Sequence, residues 1–159
     1  MIQLNFLVIP LTLILALTLQ ILPLPDWAQI YRPDWMALML IYWSMALPKR
    51  VGLWFAFICG LLVDVAQGTL LGQHSLALVI IIFINLKLHQ RIRVMSLIGQ
   101  AAYVMLLLLI SQLTVLWVEG MLHRNTPFLA YIGPPLIGMA LWPWIFILLR
   151  DLRRKAHLS

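Results

Sequence analysis

The residues with the greatest capacity for chemistry lie between Gly60 and Gly72, in the sequence Gly-Leu-Leu-Val-Asp-Val-Ala-Gln-Gly-Thr-Leu-Leu-Gly. Asp64, one of only five acidic residues in the chain, lies four residues after Gly60 and four before Gly68. Residues four apart share a helix face, so the run predicts a face with almost no side chains and one carboxylate. Gly60 is therefore predicted to allow close helix packing. Gly68 and Gly72 are predicted to form the turn that follows the helix.

Two interpretations of Asp64 remain open at the level of sequence. In the first, the carboxylate lies close to a helix end and is wetted at the membrane interface. In the second, it is buried and either pairs with Arg32 or Arg124 or faces a cavity or a partner helix, because a carboxylate in apolar surroundings needs a partner. A proton pathway would need further acids deep in the other apolar runs, and the sequence has none there.

The composition predicts an integral membrane protein. Of 159 residues, 64% are hydrophobic and 10% are charged, whereas soluble domains are about 25% charged. A soluble core of this size cannot bury so much apolar side chain, so the surplus must face lipid. The sequence contains no nucleophile–base pair, metal-ligand spacing, phosphate-binding glycine loop or haem-ligand pattern. We therefore expect a protein that is not an enzyme, with no cofactor, no metal and no nucleic acid partner.

Six apolar runs predict an all-α bundle of six transmembrane helices in one polytopic domain. The runs are residues 4–22, 35–47, 51–66, 70–86, 97–118 and 128–149, and a basic cytoplasmic tail follows at 150–159. The second and third runs are short for a hydrocarbon core of about 30 Å, which predicts tilted or mismatched helices. Pro33 predicts that Arg32 is not helical, and Asp34 is predicted to cap the second helix.

The distribution of basic residues predicts the orientation. If both termini are cytoplasmic, nine of the 11 Lys and Arg residues fall on the inner side. The inner residues are Lys49, Arg50, Lys87, Arg91, Arg93, Arg150, Arg153, Arg154 and Lys155. Only Arg32 and Arg124 fall on the outer side, so the positive-inside rule favours cytoplasmic termini. The inner basic rim is expected to attract anionic lipids at the cytoplasmic face.

The last apolar run contains Trp142-Pro143-Trp144. Pro143 has no N–H to donate to the carbonyl of Met139, which predicts a kink. The two tryptophans are interpreted either as anchors inside the bundle or as a contact surface, with the structural role favoured. The basic tail that follows is interpreted as a topology anchor or as a dock for a cytoplasmic partner.

From its first helix to its basic tail, the chain resembles the MreD family of rod shape-determining proteins. Five segments carry the resemblance through their order, spacing and total length: Leu24-Pro25-Asp26; Arg32-Pro33-Asp34-Trp35; Tyr42-Trp43 to Leu47-Pro48 with its basic pair; Gly60 to Gly72; and Leu141-Trp142-Pro143-Trp144-Ile145-Phe146.

The resemblance implies a non-enzymatic scaffold of the cell-wall elongation complex in the bacterial inner membrane. It implies direct binding to the bitopic protein MreC, in an assembly with the MreB filament, a SEDS-type glycosyltransferase and its transpeptidase. It also implies a fold similar to the six-helix substrate-binding components of energy-coupling-factor transporters. The family supplies no catalytic residue, and the candidates for structure or partner contact are Arg32, Pro33, Asp34, Gly60, Asp64, Gly68 and Gly72.

Two other classes of function were weighed against the scaffold. The fold implied by the resemblance suggests a membrane protein that binds a small molecule or a lipid, although a shared fold does not imply a shared function. An ion or proton channel would need polar residues along several spans. Only the fifth run has many of them, so the channel ranks last.

Overall fold

A computed structural model describes residues 2–23, 25–29, 32–68, 70–121 and 129–155. The described residues form helices joined by short turns. The helices are α1 (Ile2–Ile21), α2 (Asp26–Gln29), α3 (Trp35–Ala46), α4 (Leu53–Gln67), α5 (Gln73–Arg93), α6 (Leu97–Met121) and α7 (Leu129–Lys155). Within these residues the protein is all-helical, as predicted, and the single turn of α2 is an element that the sequence analysis did not predict.

Among the described residues, three helices are long and apolar enough to cross a membrane: Gln73–Arg93, Leu97–Met121 and Ile132–Lys155. Three further apolar stretches are shorter: Leu7–Ile21, which is part of α1, and the helices Trp35–Ala46 and Leu53–Gln67. The shortness predicted for the second and third runs is therefore present. Helix α7 continues through Pro134, Pro135 and Pro143 and on to Lys155, so the first part of the basic tail is helical.

Helix α3 is the centre of the molecule. It packs against α1, α4, α5, α6 and α7, and every residue from Met36 to Ala46 is buried. Its sequence is apolar on all sides, which is the pattern of a helix surrounded by other helices. The short length of α3 follows from this position, because a helix surrounded by protein does not have to match the lipid thickness by itself.

Local signals in the sequence set where α3 begins. Arg32 is not helical, as predicted from Pro33. The Oδ1 atom of Asp34 accepts a hydrogen bond of 3.2 Å from the backbone N–H of Ala37, so Asp34 is the N-cap that the sequence predicted. Gln20 supports the same helix start, because its Oε1 accepts from the N–H of Met36 at 3.2 Å.

Hydrogen bonds between helix ends show that successive long helices run in alternating directions. At one end, where α1, α4 and α6 finish and α3 and α5 begin, Asp64 contacts His74 and Gln73 contacts Glu119. We call this the Asp64 end. At the opposite end, where α3, α5 and α7 finish, Arg93 of α5 contacts the last residue of α3. We call this the Arg93 end.

Candidate functional site

Asp64 organises the turn between α4 and α5. The side chain is 0% exposed. Its carboxylate accepts hydrogen bonds from the N–H of Gly72 at 2.9 Å, the N–H of His74 at 3.0 Å and the imidazole Nδ1 of His74 at 2.7 Å. The first backbone N–H groups of a helix lack partners within it, and a negative charge near them is favourable. Asp64 therefore caps α5 from the neighbouring helix.

The interpretation of Asp64 as a wetted helix end is wrong, because the side chain is fully buried. The buried interpretation named Arg32 or Arg124 as the partner, or a cavity or a partner helix that the carboxylate would face. His74, to which the sequence analysis gave no role, is one partner of the carboxylate. Arg124 lies outside the described residues.

Two glycines give the turn its shape. Gly68 has a φ of 69° and its N–H donates to the carbonyl of Asp64, which ends α4 in a left-handed cap. Gly72 has a φ of 99° and stands immediately before α5. A residue with a Cβ atom is strained at both angles. The two glycines therefore turn the chain so that the backbone N–H groups of Gly72 and His74 reach the carboxylate of Asp64.

Gly60 holds α4 and α5 close together one turn before Asp64. A Cβ atom at this position would lie 2.3 Å from the Cα of Ser75. The Oγ of Ser75 donates to the carbonyl of Phe57 at 2.9 Å, so the two helices are also joined by a hydrogen bond. The close approach sets the height of α5 relative to α4, and therefore the position of His74 relative to Asp64.

Arg32 ties α1 to the start of α3. Its guanidinium donates to the backbone carbonyls of Gln20 and Leu22 at the end of α1. The adjacent Asp34 caps α3, and burial raises the pKa of its carboxyl above the ordinary value, while the nearby charge of His74 acts in the opposite direction. The Arg32-Pro33-Asp34 segment thus joins two helices.

These residues surround a small polar cavity at the Asp64 end. Its volume is about 150 Å³. The cavity is lined by Gln20, Arg32, Pro33, Asp34, Gln67, His74 and Gln112. An imidazole beside a carboxylate can act as a general base, but the lining offers no hydroxyl or thiol nucleophile. The chemistry that this arrangement supports best is hydrogen bonding and anchoring of helix ends.

A second polar group lies in the middle of the bundle. The Nδ2 of Asn85 donates to the carbonyl of Ile41 at 2.9 Å and to the Oγ of Ser44 at 2.5 Å. The hydroxyl of Tyr103 donates to the Oδ1 of Asn85 at 3.1 Å. The network joins α3, α5 and α6. The network was not predicted from the sequence, although a lone asparagine within an apolar run is a signal for an interhelical hydrogen bond.

The Arg93 end collects the basic residues that the sequence assigned to one rim. Lys49 and Arg50 follow α3, Arg91 and Arg93 end α5, and Arg150, Arg153, Arg154 and Lys155 end α7. The Nη2 of Arg93 donates to the carbonyl of Ala46 at 2.6 Å. Lys and Arg near helix C-termini interact favourably with the helix dipole.

The two tryptophans around Pro143 have different surroundings. Trp142 is 0% exposed, and its Nε1 donates to the Oε1 of Gln100 at 3.4 Å. Its ring contacts Tyr42 and Phe146. Trp144 is 71% exposed and points away from the bundle. Only Trp142 is therefore an anchor inside the protein.

No group of three or more His, Cys, Asp or Glu side chains with metal-binding geometry occurs among the residues that the structure describes. The single cysteine, Cys59, is buried in α4. Nothing in the described polar contacts points to a metal centre.

Comparisons with known proteins agree on one family. The family model described as rod shape-determining protein MreD matches residues 1–152. A curated protein from Haemophilus influenzae, named rod shape-determining protein MreD, is 36% identical over 148 residues, which cover 91% of this chain and 90% of that protein. No solved structure matches the chain.

Proposed function

The chain belongs to the MreD family of rod shape-determining proteins, and we propose that it is a non-enzymatic scaffold of the cell-wall elongation complex. The observation that carries the proposal is the family match across almost the whole chain. The buried polar contacts described above agree with a structural role, because they join the protein's own helices. In this proposal the protein helps to maintain rod shape by binding and positioning other proteins.

We propose that the bundle crosses the bacterial inner membrane six times, with both termini in the cytoplasm. The Arg93 end then faces the cytoplasm, because the basic residues concentrate there and positive charge favours that side. The Asp64 end faces the cell exterior. The short helices α3 and α4 both pack against the longer α5, which reduces their mismatch with the lipid thickness.

We place the contact with the bitopic partner MreC in an apolar groove between α1 and α4. The groove has a volume of about 340 Å³. It is lined by Pro10, Leu13, Ile14, Leu17, Met36, Trp54, Phe55, Ile58, Cys59 and Leu62. Every lining residue is apolar, and Trp54 is 79% exposed. Among the described helices α1 packs only on α3 and α4, which leaves room beside it for one more apolar helix.

Site-directed cross-linking tests this contact. In a Cys59→Ser background, a cysteine is introduced at Ile14 or Ile58, both of which are exposed in the groove. Leu106, an exposed residue of α6 away from the groove, provides the matched control as Leu106→Cys. We expect cross-links to cysteines in the transmembrane helix of MreC from the groove positions and none from the control.

Co-purification tests the scaffold itself. Tagged wild-type protein should capture MreC from detergent, and the groove-filling variant Ile58→Trp should capture less, while Leu106→Trp should capture the wild-type amount. A folded wild-type protein that never captures MreC would overturn the scaffold proposal. Loss of capture in both variants would overturn only the groove.

The MreB filament, the SEDS glycosyltransferase and the elongation transpeptidase complete the proposed assembly. We propose that these proteins join the same complex through MreC or through the Arg93 end. Pull-down with wild-type protein, in cells with and without MreC, separates the two routes. Capture of these proteins that disappears without MreC would assign them to the indirect route.

The alternative function is a membrane component that binds a small molecule or a lipid and resembles a vitamin-transporter substrate-binding subunit. The cavity at the Asp64 end gives it less support. The polar cavity at the Asp64 end has about 150 Å³, whereas binding pockets for drug-sized ligands usually have about 300–1,000 Å³. Ordered non-protein density in that cavity, lost in an Arg32 or Asp64 variant, would favour the alternative over the scaffold.

A further inference from the structure

A second polar cavity lies at the Arg93 end of the bundle. Its volume is about 310 Å³. The lining residues are Tyr42, Met45, Ala46, Arg93, Gln100, Phe146 and Arg153. Two of them are cationic and none is acidic. A cavity of this size falls at the lower end of the usual range for bound ligands, which is about 300–1,000 Å³.

The hydroxyl of Tyr42 is the feature that points to a ligand. Tyr42 is 1% exposed, and its Oη has no hydrogen-bond partner. Buried polar groups nearly always have a partner, and an unsatisfied one costs about 1–3 kcal/mol. Four arginines act electrostatically on this hydroxyl: Arg93, Arg150, Arg153 and Arg154. A donor without a partner therefore lies in strongly positive surroundings.

The other polar group of the cavity is already engaged. The amide of Gln100 donates to the carbonyl of Ile92 at 3.0 Å and accepts from the indole of Trp142. Arg93 uses its Nη2 for the carbonyl of Ala46, but a guanidinium carries five N–H donors. The cavity thus has hydrogen-bond donors and positive charge from three helices: Tyr42 of α3, Arg93 of α5 and Arg153 of α7. This is the environment that a phosphate group needs.

Helix-dipole compensation explains basic residues at helix ends but does not explain this cavity. Lys and Arg near a helix C-terminus are favourable without any ligand. They do not require a buried tyrosine hydroxyl without a partner, or a cavity beside it. The acidic residue nearest in sequence to Arg153 is Asp151, which is exposed and pairs with Arg150 at 3.9 Å. Asp151 does not line the cavity.

We propose that this cavity is a selective binding site for a phosphate group, supplied by the headgroup of an anionic phospholipid. The guanidinium groups of Arg93 and Arg153 bind the phosphate oxygens, and the hydroxyl of Tyr42 donates a further hydrogen bond to them. The cavity lies at an end of the bundle where helices finish, so a headgroup can enter while its acyl chains remain in the bilayer. The site differs from a diffuse basic rim because its geometry selects one bound molecule.

Native mass spectrometry of the purified full-length chain in detergent tests the site. Phosphatidylglycerol is titrated against phosphatidylcholine, and inorganic phosphate is added as a competitor. The variants are Arg153→Gln and Tyr42→Phe, and the matched control is Arg154→Gln, which changes the charge equally on the same helix outside the cavity lining. Thermal unfolding without lipid establishes that each variant is folded.

We expect one phosphatidylglycerol molecule to bind more tightly than phosphatidylcholine. Its affinity should fall about tenfold in Arg153→Gln, by a smaller factor in Tyr42→Phe, and less than twofold in Arg154→Gln, since each lost charge-assisted hydrogen bond has about this effect. Equal losses in Arg153→Gln and Arg154→Gln would overturn the site in favour of diffuse surface charge. Displacement of the lipid by millimolar inorganic phosphate would assign the site to a soluble anion and overturn the lipid as the source.

The test is independent of the scaffold proposal. It uses the purified chain without MreC and does not depend on which end of the bundle faces the cytoplasm. A protein that captures MreC but shows no lipid selectivity would disprove only the lipid site. A protein that binds phosphatidylglycerol selectively but never captures MreC would disprove only the scaffold.

Discussion

The two ends of the bundle differ in how their central buried polar group is satisfied. At the Asp64 end, a fully buried carboxylate is surrounded by N–H donors from the protein itself, and the cavity beside it has about 150 Å³. At the Arg93 end, the cavity is about twice as large and is lined by two arginines and a tyrosine hydroxyl without a partner. The carboxylate of Asp64 is thus satisfied within the protein, although the Nε of Arg32 and the Oε1 of Gln73 at the same end lack partners. At the Arg93 end, the hydroxyl that lines the cavity has no partner within the protein.

This difference has a physical consequence for mutations. Removing a group from a satisfied buried network leaves its former partners unsatisfied, so the cost falls on folding. Removing a donor that has no internal partner costs the fold little and affects only the ligand. We therefore expect substitutions at the Asp64 end to reduce stability, and those in the cavity of the Arg93 end to reduce binding.

The largest expected effect is that of Asp64→Leu. It leaves the partly buried N–H groups of Gly72 and His74 without their acceptor, and we expect a loss of about 3–5 kcal/mol in the free energy of unfolding. Asp64→Asn keeps an acceptor oxygen and should cost about 1–2 kcal/mol. Unfolding in mixed micelles and rescue of rod shape in a deletion strain provide the measurements. Wild-type behaviour of both variants would show that the hydrogen bonds to Asp64 do not stabilise the fold.

Gly60→Ala tests whether the Asp64 end depends on the spacing of α4 and α5. The added Cβ would meet the backbone of Ser75 at 2.3 Å, so the helices must separate, at an expected cost of about 1–3 kcal/mol. Gly120→Ala is the control, because a Cβ at Gly120 has nothing within 4 Å. Equal stability of the two variants would show that the spacing is not critical.

Asn85→Ala tests the network between the two ends. The substitution removes hydrogen bonds that join α5 to Ile41, Ser44 and Tyr103. Interhelical hydrogen bonds in membranes contribute about 0.6 kcal/mol each on average, so we expect a loss of about 1–2 kcal/mol. Tyr103→Phe, which removes one of these bonds, should cost about one third as much. A Tyr103→Phe effect as large as that of Asn85→Ala would assign the energy to Tyr103 alone.

Two variants of Asp34 test whether its helix cap or its negative charge stabilises the fold. Burial raises the pKa of this carboxyl, so its charged form is disfavoured in the fold. Asn caps helices as well as Asp does. We therefore expect Asp34→Asn to retain wild-type stability and Asp34→Ala to lose about 1 kcal/mol. Equal losses in thermal unfolding of the two variants would show that the charge itself is required.

The smallest expected effect on folding is that of Arg153→Gln at the Arg93 end. Without lipid, its free energy of unfolding should lie within about 0.5 kcal/mol of the wild type, as for most surface substitutions. Thermal unfolding in detergent measures this difference. A loss comparable to that of Asp64→Leu would remove the contrast between the two ends.

Part of the fold could be predicted because local chemistry dictates it. Pro33 excludes a helical Arg32, Asp34 caps the helix that follows, and Gly68 ends α4. Each of these results depends on residues within one turn of each other. The burial of α3 could not be read from its length, because a short apolar run is equally consistent with a mismatched span or with a helix surrounded by protein.

The candidate site was found only in part for the same reason. Asp64 and its glycines were identified from their spacing, but His74 was not, since an isolated histidine after a turn has no distinctive pattern. Tyr42 belongs to a segment that carries the family resemblance, and its position in the sequence indicates no further role. Its significance depends on Arg93 and Arg153, which lie more than 50 and 100 residues later in the chain.

The sequence by itself determined that the protein is an apolar helical membrane protein, where α3 begins and α4 ends, and the family to which the protein belongs. These properties follow from composition, local backbone preferences and the order of motifs along the chain. Only the tertiary structure decided that α3 is the buried centre, that Asp64 is enclosed by Gly72 and His74, and that Tyr42 is left without a partner. The physical reason is that burial and hydrogen-bond satisfaction depend on neighbours from other helices, and one helix does not specify which neighbours it will meet.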